Sequence, residues 1–163
     1  MKTFNFDFEN IGGVGKLYAI PMSSFKRIRK DYISGKNYLE LVKREDIIDI
    51  PNICDEFSFS ENSVSNDHGD SYELEINGII PKISGDSTKL MEELERGYWL
   101  VLSQDNNGVV RLSGDPDLNI LLKLSTQKHT GTKAVDRNGI DVTFSCTQPN
   151  PSICIDVDDI SIL

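Results

Sequence analysis

Short runs in which apolar and polar residues alternate, separated by turn-forming residues, constrain the fold of this chain more than any other feature. In the clearest run Tyr72, Leu74 and Ile76 face one side and two glutamates face the other, as in a strand that buries one face. Other alternating or continuously apolar runs also predict strands. They are residues 4–8, 17–20, 38–42, 57–60, 98–102, 109–112, 118–124, 140–144 and 153–157.

Turn signals divide these runs. Asn77-Gly78 predicts a reversal directly after the Tyr72 strand, and residues 105–108 (Asp-Asn-Asn-Gly) predict a tight hairpin turn. Residues 63–71 are largely polar and predict a loop. Within that loop, five residues form a candidate assembly loop: Asn66, Asp67, His68, Gly69 and Asp70.

One segment predicts a helix, with Asp86 or Ser87 as its N-cap and Gly97 as its stop. Three apolar residues share its packing face: Leu90, Met91 and Leu94. Many short strands with one helix predict a mainly β (α+β) protein, either an antiparallel β-sandwich or a small barrel with one short amphipathic helix. The 163 residues fit a single domain spanning 1–163.

Charge and cysteine content indicate which partners and which cellular compartment to expect. With 17 basic and 26 acidic residues the net charge is −9, which disfavours specific binding to nucleic acid or to an anionic membrane. The basic residues at 26–30 are the local exception, and we interpret them as the solvated side of an element. The polar N-terminus predicts neither a signal peptide nor a membrane span. Three cysteines without metal or redox spacing predict reduced thiols in a cytosolic protein.

No motif for catalysis or cofactor binding is recognisable. The glycines at 12, 13 and 15 lack the remaining residues of a phosphate-binding loop or dinucleotide fingerprint. Asp67, His68 and Asp70 are close in sequence, but one histidine with loop-forming aspartates is weak support for a metal site. There is no nucleophile elbow, and His68 and His129 have polar, turn-like neighbours. We therefore expect no catalytic residues, no metal and no cofactor, and a protein that is not an enzyme.

The order of features from residue 97 onward carries a family resemblance. It comprises an apolar strand at 97–102, the turn at 105–108, a strand ending in Gly at 111–114, Thr130-Gly131, Asn138-Gly139 and Val-Thr-Phe-Ser at 142–145. This arrangement resembles small tail or virion proteins encoded in Bacteroides-type prophages. The resemblance implies a tail-tube-like structural protein that assembles with copies of itself or with other tail proteins through strand edges and loops. The net negative charge of the chain would suit the lumen of such a tube, where DNA makes only passive contact.

We therefore expect a non-catalytic structural protein of a phage or prophage tail, made in the bacterial cytoplasm and then incorporated into the virion. The alternative is a β-sandwich binding module, in which exposed aromatic residues stack on a carbohydrate or peptide ligand. The candidates for that stacking are Tyr32, Tyr98 and Trp99. An enzyme assembled from residues distant in sequence is a third class, without a supporting motif.

Overall fold

The computed structural model describes residues 11–52, 56–67, 69–132 and 138–157, and it confirms a mainly antiparallel β protein with one helix. The strands in chain order are β1 (Val14–Pro21), β2 (Phe25–Lys30), β3 (Asn37–Leu41), β4 (Ile48–Ile50), β5 (Ser58–Asn66), β6 (Gly69–Pro81), β7 (Trp99–Asp105), β8 (Val110–Ser113), β9 (Lys123–His129), β10 (Gly139–Gln148) and β11 (Ile153–Ile155). A 3-10 turn at Met22–Ser24 precedes β2, and helix α1 (Gly85–Arg96) lies between β6 and β7.

The strands form three antiparallel sheets. The first has five strands in the order β11-β8-β7-β1-β4, and the second has four in the order β5-β6-β10-β9. The third is the hairpin of β2 and β3. The five-stranded sheet separates two apolar cores, because alternate residues of its strands point to opposite faces.

The larger core lies between the five-stranded and four-stranded sheets and also receives α1. It includes Leu17, Met91, Trp99, Val101 and Phe144, all buried. The smaller core lies on the other face of the five-stranded sheet, where the β2–β3 hairpin covers residues from β7, β8 and β11. Because β7 supplies alternate residues to both cores, its run from Trp99 to Ser103 is buried throughout. That double burial explains why residues 99–102 are all apolar rather than alternating.

The predicted reversal at Asn77-Gly78 is wrong, because both residues lie inside β6. Asn77 pairs with Ser58 on one side and Thr143 on the other, so β6 passes through the sheet without a break. Gly78 is needed there for space: a Cβ atom at this position would lie 2.3 Å from Cδ1 of Phe57. The glycine therefore marks a close approach of an aromatic ring to the backbone, which is the other common reason for glycine in a strand.

The predicted loop at 63–71 is largely strand as well. β5 continues to Asn66 and β6 begins at Gly69, so only a tight turn separates them. Continuous pairing from Ser58 with Asn77 to Asn66 with Gly69 satisfies the backbone groups of β5 that face β6 and holds this polar segment in a strand. The outer end of the hairpin, from Asn62 to Ser71, has no fully buried residue among those described, so it needs no apolar alternation.

Two further predictions need correction. The strand predicted at 118–124 is instead β9, which starts at Lys123, because Asp115 pairs with Ile120 and closes a tight loop before it. The helix N-cap is Ser84 rather than Asp86 or Ser87: the Ser84 hydroxyl accepts a hydrogen bond from the Ser87 backbone N–H at 3.2 Å. Gly97 ends the helix as predicted.

The other predicted strands correspond to β1, β3, β7, β8, β10 and β11 within a few residues at each end, and the strand predicted at 57–60 is the first part of the longer β5. The turn at 105–108 joins β7 to β8. The ambiguous basic stretch forms β2. The strand predicted at 4–8 lies outside the described residues.

Candidate assembly site

The candidate assembly loop is the end of the β5–β6 hairpin. Asp67 and Asp70 are both exposed there, and Gly69 adopts a φ of 120°, which is readily available only to glycine. His68, the third member of the Asp67, His68, Asp70 group, lies outside the described residues. The hairpin geometry brings two carboxylates to one projecting end of the molecule.

One edge of the four-stranded sheet is long and open. No described strand pairs with the outer side of the nine-residue strand β5. Its only charged residue is Glu61, which accepts a hydrogen bond at 2.7 Å from the backbone N–H of Ser152. The strand has no proline, lysine or register shift, which are the usual features that prevent another strand from pairing with an edge.

The opposite edge of the same sheet is different, because α1 packs against β9. Thr126 donates a hydrogen bond to the Glu95 carboxylate, and the Lys123 ammonium donates to the Glu95 backbone carbonyl. Lys123 and Lys128 also place two positive charges on this strand. The β9 edge therefore has two lysines and contacts α1, whereas the β5 edge has no lysine and is open.

The β2–β3 hairpin, which we call the arm, packs on the face of the five-stranded sheet that is opposite the larger core. At the end of the hairpin next to its turn, Asn37 exchanges backbone and side-chain hydrogen bonds with Asp156 and donates to the Cys154 carbonyl. Along its strands, Glu40 forms ion pairs with three basic residues: Lys26, Arg27 and Arg29. The hydrogen bond from Arg27 is the main reason that the pKa of Glu40 lies below its ordinary value. Hydrogen bonds thus attach the arm to the β11 segment, and ion pairs link its two strands.

The tip of the arm is a tight turn held by Asp31. One Asp31 carboxylate oxygen accepts from the Ser34 hydroxyl at 2.7 Å and the other accepts from the Ile33 backbone N–H at 2.9 Å. These hydrogen bonds, first that of Ser34, lower the pKa of Asp31 from its ordinary value. Gly35 closes the turn at a φ of 74°. The turn presents Tyr32 and Ile33 to solvent, with 88% and 100% of their surfaces exposed.

The aromatic residues proposed for ligand stacking have different environments. Trp99 is buried and its indole N–H donates to the Leu94 carbonyl at 2.8 Å, so its ring belongs to the core. Tyr98 is exposed, but the Lys123 ammonium lies 4.7 Å from its ring centroid and occupies one face. Tyr32 alone of the three is almost fully exposed, and it stands at the arm tip.

A charged cluster lies beside the β7–β8 turn. Arg111 donates to the Asp105 carboxylate at 2.8 Å and lies 5.6 Å over the Phe59 ring. Partial burial of Asp105 raises its pKa, but hydrogen bonds from Arg111 and from the Val109 backbone outweigh that effect, so the pKa stays below its ordinary value. The pair therefore remains ionised near neutral pH and fixes the turn.

The two described cysteines, Cys146 and Cys154, are free thiols. Burial raises the pKa of the Cys146 thiol to about 11, so it is protonated near neutral pH; Cys154 is exposed, and Cys54 lies outside the described residues. In the described part of the chain no three His, Cys, Asp or Glu side chains converge as a metal site would require.

The arm is the feature that sequence patterns missed. The sequence feature that indicates the arm is the turn chemistry of Asp31, Ser34 and Gly35 between a basic stretch and a predicted strand.

Among the described residues no helix has the length and apolar character needed to cross a membrane. No protein-family model matches the chain, and no significant match is found among curated proteins or solved structures.

Proposed function

We propose that the protein is a non-catalytic structural subunit of a phage or prophage tail, similar to a tail-tube protein, that assembles with copies of itself or with other tail proteins. The observation that most supports this proposal is the open edge of β5. An unprotected edge of nine residues offers a row of backbone donors and acceptors to another strand. Monomeric proteins usually have features that prevent strand pairing at such an edge. An open edge is therefore expected here if another subunit covers it.

The two unlike edges of the four-stranded sheet favour a directional contact. If β5 of one copy meets the β9 side of the next, each copy still has one edge available. A contact of this kind closes into a ring when the rotation permits and otherwise extends as a filament. Both outcomes suit a tail, and neither requires a reaction centre.

The outer face of the four-stranded sheet supports the tube form of the proposal. Its central strands β6 and β10 contain no Lys or Arg, and Glu73, Glu75 and Asp141 alternate there with hydroxyl and amide side chains. An acidic, polar wall would repel DNA phosphates and allow DNA to pass without adhering. Such a subunit would be made in the bacterial cytoplasm and would then become part of the virion.

The alternative is a binding module for a carbohydrate or peptide. Its stacking platform would have to be built around Tyr32, since Trp99 is in the core and Lys123 covers one face of Tyr98. A single exposed ring on a projecting turn lacks the concave surroundings of most ligand sites. The geometry therefore favours assembly over ligand binding.

The proposal is tested by blocking the β5 edge. Asn62 and Thr147 are the two cross-strand partners of Glu73, Asn62 on the edge strand and Thr147 on a central strand. Asn62→Lys and Thr147→Lys thus place the same charge beside the same carboxylate, but only Asn62→Lys adds it to the edge. Light scattering coupled to size-exclusion chromatography, with electron microscopy, would follow assembly over a range of protein concentrations.

We expect wild-type protein to form rings or filaments as concentration rises. Asn62→Lys should raise the apparent dissociation constant by about tenfold or more, as one charge on an edge disfavours strand pairing, and Thr147→Lys should change it by less than about threefold. A wild-type chain that remains monomeric at every concentration, and binds a glycan or peptide, would refute the proposal in favour of the module.

A further inference from the structure

We infer that the arm, the hairpin of β2 and β3, is an interaction surface whose partner is the acidic end of the β5–β6 hairpin in a second copy of this chain. The inference rests on the proposed self-assembly and identifies a contact within it. The first observation is the arm tip. Tyr32 and Ile33 are adjacent, apolar and almost fully exposed, whereas most exposed apolar residues of a soluble domain are scattered singly.

The tip is already ordered without a partner. Asp31 binds both Ser34 and the Ile33 backbone, and the Asp31 and Lys36 backbones close the turn with a hydrogen bond of 2.8 Å. A turn fixed in this way loses little conformational entropy on binding, which makes it an efficient anchor. Tyrosine is also among the residues that most often dominate binding energy at interfaces.

Charge identifies the partner surface. From Lys26 to Arg44 the chain has seven basic and two acidic residues, whereas from Glu45 to Pro81 it has ten acidic residues and neither lysine nor arginine. In the arm, Glu40 already pairs with three of the basic residues, but no carboxylate in the described part of the chain forms an ion pair with Lys30 or Lys36. These two lysines flank the apolar tip and are exposed.

Asp67 and Asp70 provide the complementary charges. Both are exposed at the projecting end of the β5–β6 hairpin, where no lysine or arginine of the hairpin can neutralise them. Two positive charges beside an apolar tip thus correspond to two negative charges on a projecting turn. Complementarity of this kind guides association and sets which surfaces meet.

The positions of the two surfaces determine the mode of contact. The arm packs on the smaller core and the four-stranded sheet packs on the larger one, so the five-stranded sheet lies between them. An arm therefore has to reach the acidic end of a different copy, and that copy's own arm remains available. Pairing arm with arm would place basic residues together, which disfavours a closed dimer.

Charge reversal with cross-complementation tests the inference. One variant carries Lys30→Glu and Lys36→Glu, and the other carries Asp67→Lys and Asp70→Lys. Each variant alone should associate at least about tenfold more weakly than wild type in low salt, measured by analytical ultracentrifugation. Mixed in equal amounts they should associate again, because both contacts between unlike variants regain opposite charges.

A control variant, Lys82→Glu with Lys89→Glu, makes the same net change at exposed positions outside the arm and should associate like wild type. Tyr32→Ser with Ile33→Ser should weaken association by about tenfold or more without changing the charge. Circular dichroism spectra of all variants would verify that each is folded.

The outcomes separate this inference from the proposed function. If wild type assembles and Asn62→Lys disrupts it, but the arm variants behave like wild type or the mixture fails to recover, the arm contact is refuted and the structural role stands. If wild-type protein is monomeric at all concentrations in low salt, the arm contact and self-assembly are both refuted.

Discussion

Replacing Gly78 by alanine provides a direct test of the packing between β6 and Phe57. The new Cβ would lie 2.3 Å from Cδ1 and 2.5 Å from Cε1 of a ring that is only 1% exposed. Carbon atoms in contact are normally about 3.5–4.0 Å apart, so the ring or the strand has to move by more than 1 Å, roughly. Overpacking of this kind costs about 1–3 kcal/mol, whereas removing a strand glycine alone would stabilise by roughly 0.5–1 kcal/mol.

Together the two effects leave a loss of about 0–2.5 kcal/mol, and the contacts of 2.3 and 2.5 Å are severe enough to favour the upper part of that range. We therefore expect Gly78→Ala to lower the free energy of unfolding by about 1–2 kcal/mol, which corresponds to roughly 2–8 °C in Tm for a chain of this size. Urea unfolding is well suited to the measurement because Trp99 is the only tryptophan and is buried, so its fluorescence reports on the larger core. High salt and low protein concentration would keep self-association from contributing.

A double-mutant cycle with Phe57→Leu identifies the cause of the loss. The smaller side chain makes room for the new methyl group, so the double variant should be within about 0.5 kcal/mol of Phe57→Leu alone, a coupling of at least about 1 kcal/mol. Gly85→Ala is a suitable control, because a Cβ there meets nothing within 4 Å. A neutral Gly78→Ala, or strictly additive effects of the two substitutions, would refute the proposed contact between Phe57 and Gly78.

Two further predictions concern titrating groups. In a Cys54→Ser, Cys154→Ser background, alkylation of Cys146 should accelerate about tenfold per pH unit from pH 8 to pH 10, because its pKa is about 11; a rate that levels off below pH 9 would contradict the burial of this thiol. The pKa of Asp105 is lowered by folding, so its contribution to stability is complete above the unfolded value of about 3.9 and is lost as the pH falls through the lower folded-state value. Asp105→Asn should therefore show a smaller loss of stability below about pH 4 than wild type in acid unfolding curves, and equal losses would argue against the ion pair with Arg111.

Local patterns predicted the strands whose burial is one-sided or complete. The run from Tyr72 to Ile76 alternates because it buries one face, and residues 99–102 of β7 are all apolar because both faces of the strand are buried there. In both cases the residue pattern reports directly on burial, so the fold class could be deduced without any tertiary information.

Contacts between residues far apart in sequence explain the features that the sequence patterns predicted wrongly or missed. Asn77-Gly78 has turn chemistry, but the need for space above Phe57, twenty-one residues earlier in the sequence, placed the glycine inside a strand. Residues 63–66 have loop composition, yet pairing with β6 holds them in a strand beyond the core. The arm was missed for the same reason, since its apolar side is recognised only when Leu39 and Phe25 are seen against the five-stranded sheet.

The sharing of β7 between two cores has a consequence for how the molecule opens. Its residues Leu100 and Leu102 support the arm side, and Trp99 and Val101 support the helix side, through one continuous backbone. Neither core can melt while the other stays intact, since each would lose a wall. Amide protons in this strand should therefore exchange with solvent only in the rare event of global unfolding, which makes the centre of the sheet the slowest-exchanging part of the protein.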